Sequence, residues 1–186
     1  AGIGGGSSAA ATTLINLNEM WNMGLPPTEL ENIGAELGSD VPFFIQSTTA
    51  LVEGRGEKIT ALNTPRASWV VLLIPQMPIQ DKTQRVFDTV TKQDYTNGDI
   101  VQKIALQMKN RHINIQDVLA KNHLEGGVLN VCQGIESYRA ALSQTSISSP
   151  QLTGAGPTYF SIFPSEDHAR IAAKSLENLM QATIIV

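Results

Sequence analysis

Cysteine and positive charge are both scarce in this sequence of 186 residues. The single Cys132 excludes a disulfide within the chain and is typical of a protein in a reducing compartment. We expect its thiol to be buried and inert, within a helix. The 13 basic residues are outnumbered by 17 acidic ones, which gives a formal net charge of −4 and no evident basic patch. A nucleic-acid partner is therefore not expected.

Long apolar runs and metal-ligand spacings are missing as well. The longest apolar run, residues 69–75, is far shorter than the about 20 residues that a membrane-spanning helix needs. His112, His123 and His168 are scattered and share no spacing typical of a metal site. Hydrophobic residues make up 42% of the chain, which is enough for a core of its own. We expect a cytoplasmic protein that does not associate with membranes.

Glycine is abundant at the start, where residues 1–9 read AGIGGGSSA. Glycine lacks a Cβ, so this segment can turn sharply and bring backbone N–H groups against a ligand. Ser7 or Ser8 would cap a helix that runs to Met23 and whose start carries a partial positive charge. These features predict an anion site, with phosphate as the usual anion. The segment lacks the ending of a common P-loop, and a disordered terminal segment is the alternative.

Apolar periodicity divides the remaining chain into helices and strands. The pattern places helices at 27–37, 82–90, 99–109, 122–142 and 165–180, and strands at 49–53, 58–62, 69–74, 151–154, 158–163 and 183–186. The pattern changes near Pro65, which predicts two domains, residues 1–65 and residues 66–186. The second alternates strands and helices around one sheet, so the fold class is α+β. The first helix should pack on a sheet through Ala10, Leu14, Leu17 and Trp21.

Residues 38–44, GSDVPFF, predict a short helix that Ser39 or Asp40 caps. Judged by composition alone, this cap is the simplest role for Asp40. Pro42 would occupy the first turn, where its missing N–H does no harm.

Three stretches together resemble the GHMP family of small-molecule kinases. Residues 2–10 look like the phosphate-binding motif of that family, residues 38–44 like the segment with its catalytic aspartate, and residues 152–157 like its third glycine motif. The likeness runs over nearly the whole chain. It implies a GHMP kinase-like two-domain fold with a ferredoxin-like C-terminal α/β sandwich. It also implies an incomplete N-terminal domain, because a first motif and a lysine of the family have no counterpart here.

The triple glycine of residues 4–6 and the GSDVP of residues 38–42 resemble one branch of this family, which acts on a diphosphocytidyl polyol in isoprenoid precursor biosynthesis. Residues 53–57 and 122–125 also look like that branch. This likeness implies transfer of the γ-phosphoryl group of ATP to a hydroxyl of that polyol, with Mg²⁺ held near Ser7 or Ser8. Asp40 would be the catalytic residue that accepts or orients the hydroxyl proton. The implied ATP-binding residues are Gly2, Ile3, Gly4, Gly5, Gly6, Ser7, Ser8 and Ala9. The implied substrate-binding residues are Asp40, Thr83, Phe87, Gly154, Ala155 and Gly156.

Other interpretations stay open at this point. In an alternative interpretation, Phe87 does not stack on a base but is an ordinary core residue. The substrate could be another small alcohol, such as mevalonate, homoserine or a sugar. The chain could also be a non-catalytic nucleotide-binding module on the same scaffold. A homodimer is a further expectation about its partners.

Overall fold

A computed structural model of the chain describes residues 2–46, 49–66, 68–110, 114, 121–146, 148–177 and 182–186. The chain divides into two compact units. The first unit contains Gly4–Pro65 and Gln102–Ile113, and the second contains Ala1–Ile3, Arg66–Val101 and Asn114–Val186. The division of the domains at residues 65 and 66 stays a prediction. Within the described ranges, no helix is both long and apolar enough to cross a bilayer.

The first unit consists mainly of helices and one hairpin. Its elements are α1 (Gly5–Met20), α2 (Pro27–Leu37), α3 (Val41–Gln46), β1 (Ala50–Glu53) and β2 (Lys58–Ala61). The strands pair antiparallel, with Ala50 opposite Ala61. Gly34 allows α2 to lie close to α3, because a Cβ there would be 3.0 Å from Val41 Cγ1.

Helix α1 differs from the expectation in its start. It begins at Gly5, and Gly4 is the N-cap residue with φ of +67° and no side-chain cap. The expectation that Ser7 or Ser8 caps this helix is therefore wrong, since both lie inside its first two turns. Gly4 can adopt the left-handed conformation at little cost, so the helix begins before the serines are reached.

The buried face of α1 also differs from the expectation. The helix ends at Met20, and the Trp21 side chain is 63% exposed. Ala11 is the buried residue of α1, and the main packing partners of the helix within the described residues are α2 and α3. The expectation that this face of α1 packs on a sheet is therefore wrong. The helical period was correct, but its assignment to a sheet was not.

The second unit is built on a four-stranded antiparallel sheet. Its elements are β3 (Trp69–Pro75), α4 (Lys82–Asp88), a 3₁₀ turn (Lys92–Asp94), α6 (Glu125–Val131), α7 (Ile135–Thr145), β4 (Gln151–Leu152), β5 (Tyr159–Phe163), α8 (Glu166–Glu177) and β6 (Ala182–Ile185). A further helix, α5 (Asp99–Asn110), is shared between the two units. The strand order is β4-β5-β3-β6, with Leu73 opposite both Tyr159 and Ile184.

Helices α7 and α8 pack on this sheet. Val71 and Leu73 of the central strand are fully buried, as are Leu142 of α7 and Leu176 of α8. This arrangement confirms the predicted ferredoxin-like α/β sandwich and the α+β class. The predicted end of the last helix at residue 180 lies outside the described residues.

The helix predicted over residues 122–142 is wrong, because the structure has two helices there. Cys132 ends α6 with φ of −106° and ψ of 73°, and Gly134 precedes α7 with φ of +81°. That left-handed angle suits glycine and interrupts the helix. Cys132 is fully buried, as expected, but it lies between helices rather than within one.

Candidate functional site

The first glycine motif presents unpaired backbone donors at the start of α1. The Ser8 N–H donates to the Gly4 carbonyl at 2.9 Å, and the three preceding amides come before the first intrahelical bond. No side chain caps this end of the helix. Free amides and the helix dipole both attract negative charge. The start of α1 can therefore bind an anion, and phosphate suits it well.

The glycines of this motif differ in what surrounds them. A Cβ on Gly4 would lie 2.6 Å from Phe44 Cζ, so packing within the first unit requires glycine there. A Cβ on Gly5 or Gly6 would meet nothing within 4 Å, and both residues are exposed. The backbone of Gly5 and Gly6 is therefore open to a ligand, whereas the ring of Phe44 lies against one side of Gly4.

Ser7 and Ser8 lie half-buried in the first two turns of α1. Neither hydroxyl makes a hydrogen bond in the part of the chain that the structure describes. No group of three or more His, Cys, Asp or Glu residues there could hold a metal ion. A metal ion would therefore need most of its ligands from a bound phosphate and water, which is the usual habit of Mg²⁺.

Asp40 stands at the junction between α2 and α3. The next two residues, Val41 and Pro42, are buried and anchor α3, and the Val41 N–H donates to the Gly38 carbonyl at 3.1 Å. The Asp40 side chain is exposed, and no hydrogen bond or ion pair joins it to any described residue. The helix cap expected from composition is therefore not formed. A free carboxylate on an anchored backbone remains available to a ligand.

A cavity of about 200 Å³ lies in the first unit, at the loop residue that precedes Asp40. The lining residues are Ala35, Ser39, Arg55, Gly56 and Glu57. Gly56, with φ of +120°, packs so closely on the Ser39 carbonyl that a Cβ would overlap it. Hydrogen bonds from the backbone amides of Glu57 and Arg55 lower the pKa of the Glu57 carboxyl. The β1–β2 turn thus holds the loop that carries Asp40 and keeps a charged carboxylate at the cavity.

The third glycine motif is a tight turn in the second unit. The Gly156 N–H donates to the Thr153 carbonyl at 2.9 Å, and the Gly156–Pro157 peptide is cis. Gly2 packs on this turn, since the Thr153 hydroxyl donates to the Gly2 carbonyl at 2.7 Å. A Cβ on Gly2 would lie 2.8 Å from the Gly156 carbonyl oxygen. The structure therefore brings one residue of the first motif against the third.

Two amides of this turn have no partner among the described residues. The Gly154 carbonyl accepts a hydrogen bond from Asn122 Nδ2 at 2.8 Å, and the Thr153 carbonyl is bonded to Gly156. A trans peptide directs its N–H opposite to its carbonyl, so the amides of Gly154 and Ala155 point away from these partners. Neither amide donates to another described residue. Successive free amides of this kind form an anion-binding concavity.

Helix α4 lies against the same turn through Lys82. Its Nζ donates to the carbonyl oxygens of Ala155 at 2.6 Å and of Gly156 at 2.5 Å. Desolvation by partial burial lowers the pKa of the Lys82 ammonium. Thr83 and Phe87, one helical turn apart on α4, are exposed, and the Phe87 side chain is 53% exposed. Phe87 is therefore not a core residue, and Val86 takes that role.

Two residues of this region were missed by the sequence reasoning. Lys82 carried a weak signal, because a positive charge at the first position of a helix opposes the helix dipole and needs another reason. Asn122 stands in a stretch that carries the family likeness, yet no local pattern indicates its bonds to the carbonyls of Leu152 and Gly154. Both contacts join segments far apart in the sequence, which explains why periodicity did not reveal them.

The family profile described as "GHMP kinases N terminal domain" matches residues 1–48, and "GHMP kinases C terminal" matches residues 102–182. The 4-diphosphocytidyl-2-C-methyl-D-erythritol kinase of Dehalococcoides mccartyi is 36% identical over 181 residues, 97% of this chain and 62% of the relative. The enzyme of that name from Geobacter metallireducens is 36% identical over 178 residues, 96% of this chain and 61% of the relative.

Among solved structures, the crystal structure of a 4-(cytidine 5′-diphospho)-2C-methyl-D-erythritol kinase superposes with a TM-score of 0.77 at 27% identity. The superposition covers 99% of this chain and 65% of that one. The chain thus spans about 62% of the length of the curated relative from Dehalococcoides mccartyi.

Proposed function

The chain belongs to the GHMP kinase family, and we propose that it acts in phosphoryl transfer from ATP to the 2-hydroxyl of 4-diphosphocytidyl-2-C-methyl-D-erythritol. This reaction is a step of non-mevalonate isoprenoid precursor biosynthesis. The proposal rests on backbone amides that have no hydrogen-bond partner among the described residues. One set of these amides lies at the start of α1, and the other set belongs to Gly154 and Ala155. Phosphoryl transfer depends mainly on such positioning and charge stabilisation.

The start of α1 is the proposed site for the triphosphate of ATP. The amides of Gly5, Gly6 and Ser7 would donate to phosphate oxygens, and the helix dipole would add to the attraction. Backbone donors suit a chain whose net charge is −4, because they supply partial positive charge without basic side chains. The remaining ATP-binding residues proposed are Gly2, Ile3, Gly4, Ser8 and Ala9. Mg²⁺ held by Ser7 or Ser8 and the phosphates would neutralise charge that develops during transfer.

Asp40 is the proposed catalytic residue. Its carboxylate has no partner among the described residues, so its lone pairs are free to accept or orient the substrate hydroxyl proton. Its backbone is held by the buried Val41 and Pro42, which limits its movement. A base must be both unoccupied and positioned, and these two observations on Asp40 support that role.

The proposed diphosphocytidyl site uses the second unit. Gly154 and Ala155 would donate their free amides to the diphosphate, with Gly156 closing the turn. The exposed ring of Phe87 would stack on the cytosine base, beside Thr83. Another alcohol as substrate is not favoured, because the compared relatives are named for the diphosphocytidyl compound. A cytoplasmic location fits the single buried Cys132, and the homodimer stays a prediction.

Asp40→Asn tests the proposal, with ADP release measured in the presence of ATP and 4-diphosphocytidyl-2-C-methyl-D-erythritol. We expect a loss of roughly 10²–10⁴-fold in rate. The free energy of unfolding should be unchanged, because the carboxylate makes no bond among the described residues. Asp167→Asn is the matched control, since Asp167 is exposed in the first turn of α8.

Three results would contradict the proposal. A normal rate in the Asp40 variant would remove the base from the mechanism. An equal loss in the Asp167 variant would indicate a general effect of charge. Nucleotide binding by the unchanged chain without any ADP release would favour the non-catalytic module instead.

A further inference from the structure

We propose that Lys82 is a positioning residue that ties the third glycine motif to α4. The tie would set the distance between the free amides of Gly154 and Ala155 and the exposed face of Thr83 and Phe87. The identity of the ligand in that gap rests on the proposed function, whereas the tie itself rests on geometry within the second unit.

The geometry is a two-point attachment of one ammonium group. Lys82 Nζ donates to the carbonyl oxygens of two consecutive residues, at 2.6 Å for Ala155 and 2.5 Å for Gly156. Gly156 is buried, so its carbonyl oxygen needs a donor from the protein. Among the described residues, no other donor reaches these two oxygens. Lys82 therefore fixes the C-terminal half of the turn, as Asn122 fixes its N-terminal half at Gly154.

The position of Lys82 in the chain makes this attachment relevant to a ligand. It is the first residue of α4 and directly precedes Thr83, so its backbone moves with the helix that presents Phe87. One end of the side chain thus belongs to the face proposed for the base, and the other holds the turn proposed for the diphosphate. Small shifts in such a pair weaken binding, because hydrogen bonds from the free amides to a charged diphosphate depend on distance and angle.

Overall stability does not explain Lys82. Partial burial lowers the pKa of its ammonium, so the folded state holds this proton less tightly than the unfolded chain does. The contacts to the two carbonyls therefore do not fully offset the loss of water around the charge. Replacement by an uncharged side chain of similar length should loosen the turn without a matching loss in the free energy of unfolding.

The test compares Lys82→Met, Lys82→Arg and the control Lys92→Met in the full 186-residue chain. Lys92 is exposed and makes no hydrogen bond or ion pair with the described residues. The rate of amide hydrogen exchange in residues 152–158 reports how firmly Lys82 attaches the turn to α4. Calorimetry measures the dissociation constants of the chain for cytidine diphosphate and for a non-hydrolysable ATP analogue. Urea unfolding measures stability.

In Lys82→Met we expect exchange at residues 152–158 to rise and the dissociation constant for cytidine diphosphate to increase by about tenfold or more, as for the loss of one hydrogen bond to a charged group. The dissociation constant for the ATP analogue should stay near that of the unchanged chain, and so should the midpoint of urea unfolding. Lys82→Arg should recover part of the affinity, since a guanidinium can donate to both carbonyls. The Lys92 variant should behave like the unchanged chain.

An unchanged exchange rate at residues 152–158 in Lys82→Met would overturn the proposal that Lys82 attaches this turn to α4. Increased exchange with unchanged cytidine diphosphate affinity, or equal loss for both ligands, would make Lys82 a merely structural residue. A failure of the unchanged chain to bind cytidine diphosphate would contradict the proposed function instead, and the exchange of residues 152–158 would still decide the tie.

Discussion

Gly6 is the position at which the proposed phosphate site can be tested with the least disturbance of the fold. It is the second residue of α1, it is exposed, and an added Cβ would meet nothing within 4 Å. Valine is slightly better than glycine in a helix, by a few tenths of a kcal/mol. Gly6→Val should therefore leave the free energy of unfolding unchanged or raise it slightly.

The same substitution should weaken ATP binding strongly. The valine side chain would occupy space in front of the amides of Gly5, Gly6 and Ser7, which precede the first intrahelical bond. A hydrogen bond to a charged group contributes about 1.5–3 kcal/mol, so the loss of one or two costs roughly 1.5–6 kcal/mol. Because about 1.4 kcal/mol corresponds to a factor of ten, affinity should fall roughly tenfold to 10⁴-fold. Calorimetry with a non-hydrolysable ATP analogue measures this change.

Gly126→Val is the matched control for this experiment. Gly126 is the second residue of α6, it is exposed, and its added Cβ would also meet nothing within 4 Å. The control should bind the ATP analogue like the unchanged chain. An affinity of Gly6→Val within about threefold of the unchanged chain, well below the loss expected for one charged hydrogen bond, would refute the phosphate site at α1. An equal loss in both variants would point to a general effect of valine in a first turn.

Two further predictions concern the second unit. Phe87→Ala should weaken cytidine diphosphate binding by roughly 1–3 kcal/mol and leave stability intact, with the exposed Tyr95→Ala as control; early unfolding would instead assign Phe87 to packing. Burial raises the pKa of Tyr159 from 10.0 to about 12, so the folded state retains the phenolic proton more tightly than the unfolded chain. This contribution to stability should be present below pH 10 and be lost as pH rises to about 12. Urea unfolding across that range should show a steeper fall for the unchanged chain than for Tyr159→Phe, and parallel curves would contradict the reasoning.

Elements with clear signals at both ends could be predicted from the sequence. Helix α2 has the bounds Pro27–Leu37 that the pattern predicted, because proline suits its first position and Gly38 follows its last. Strand β3 was predicted as central because its run of large apolar residues needs cover from other elements. These signals are local, so they do not depend on what the rest of the chain does.

The break between α6 and α7 shows what periodicity cannot detect. Val128, Ile135 and Leu142 recur every seven residues and are all fully buried, so the apolar pattern continues across the break. The pattern indicates which side faces the core, but it does not give the backbone angles of one residue between two helices. Gly134 was the only local sign of the interruption, and a single glycine is tolerated in many helices.

The candidate site was predictable as a set of motifs, while the roles of its glycines were not. The sequence presents Gly2, Gly4, Gly5 and Gly6 as one run. Packing requires glycine at Gly4 because of Phe44 and at Gly2 because of the third motif, whereas Gly5 and Gly6 face open space. Only distances between segments remote in sequence separate these cases. The same holds for Lys82, whose partners lie 73 and 74 residues away.

The strand order of the second unit has a consequence for its synthesis on the ribosome. Strand β3 lies between β5 and β6, yet both of these strands follow it in the chain, and β6 is made last. Helix α7 is made before β5 and contacts β3, so one face of the nascent strand can be covered early. Its two hydrogen-bonding edges stay open until Tyr159–Phe163 and Ala182–Ile185 have emerged. Translation from β3 to β6 is therefore the period in which this unit is most exposed to wrong strand pairing.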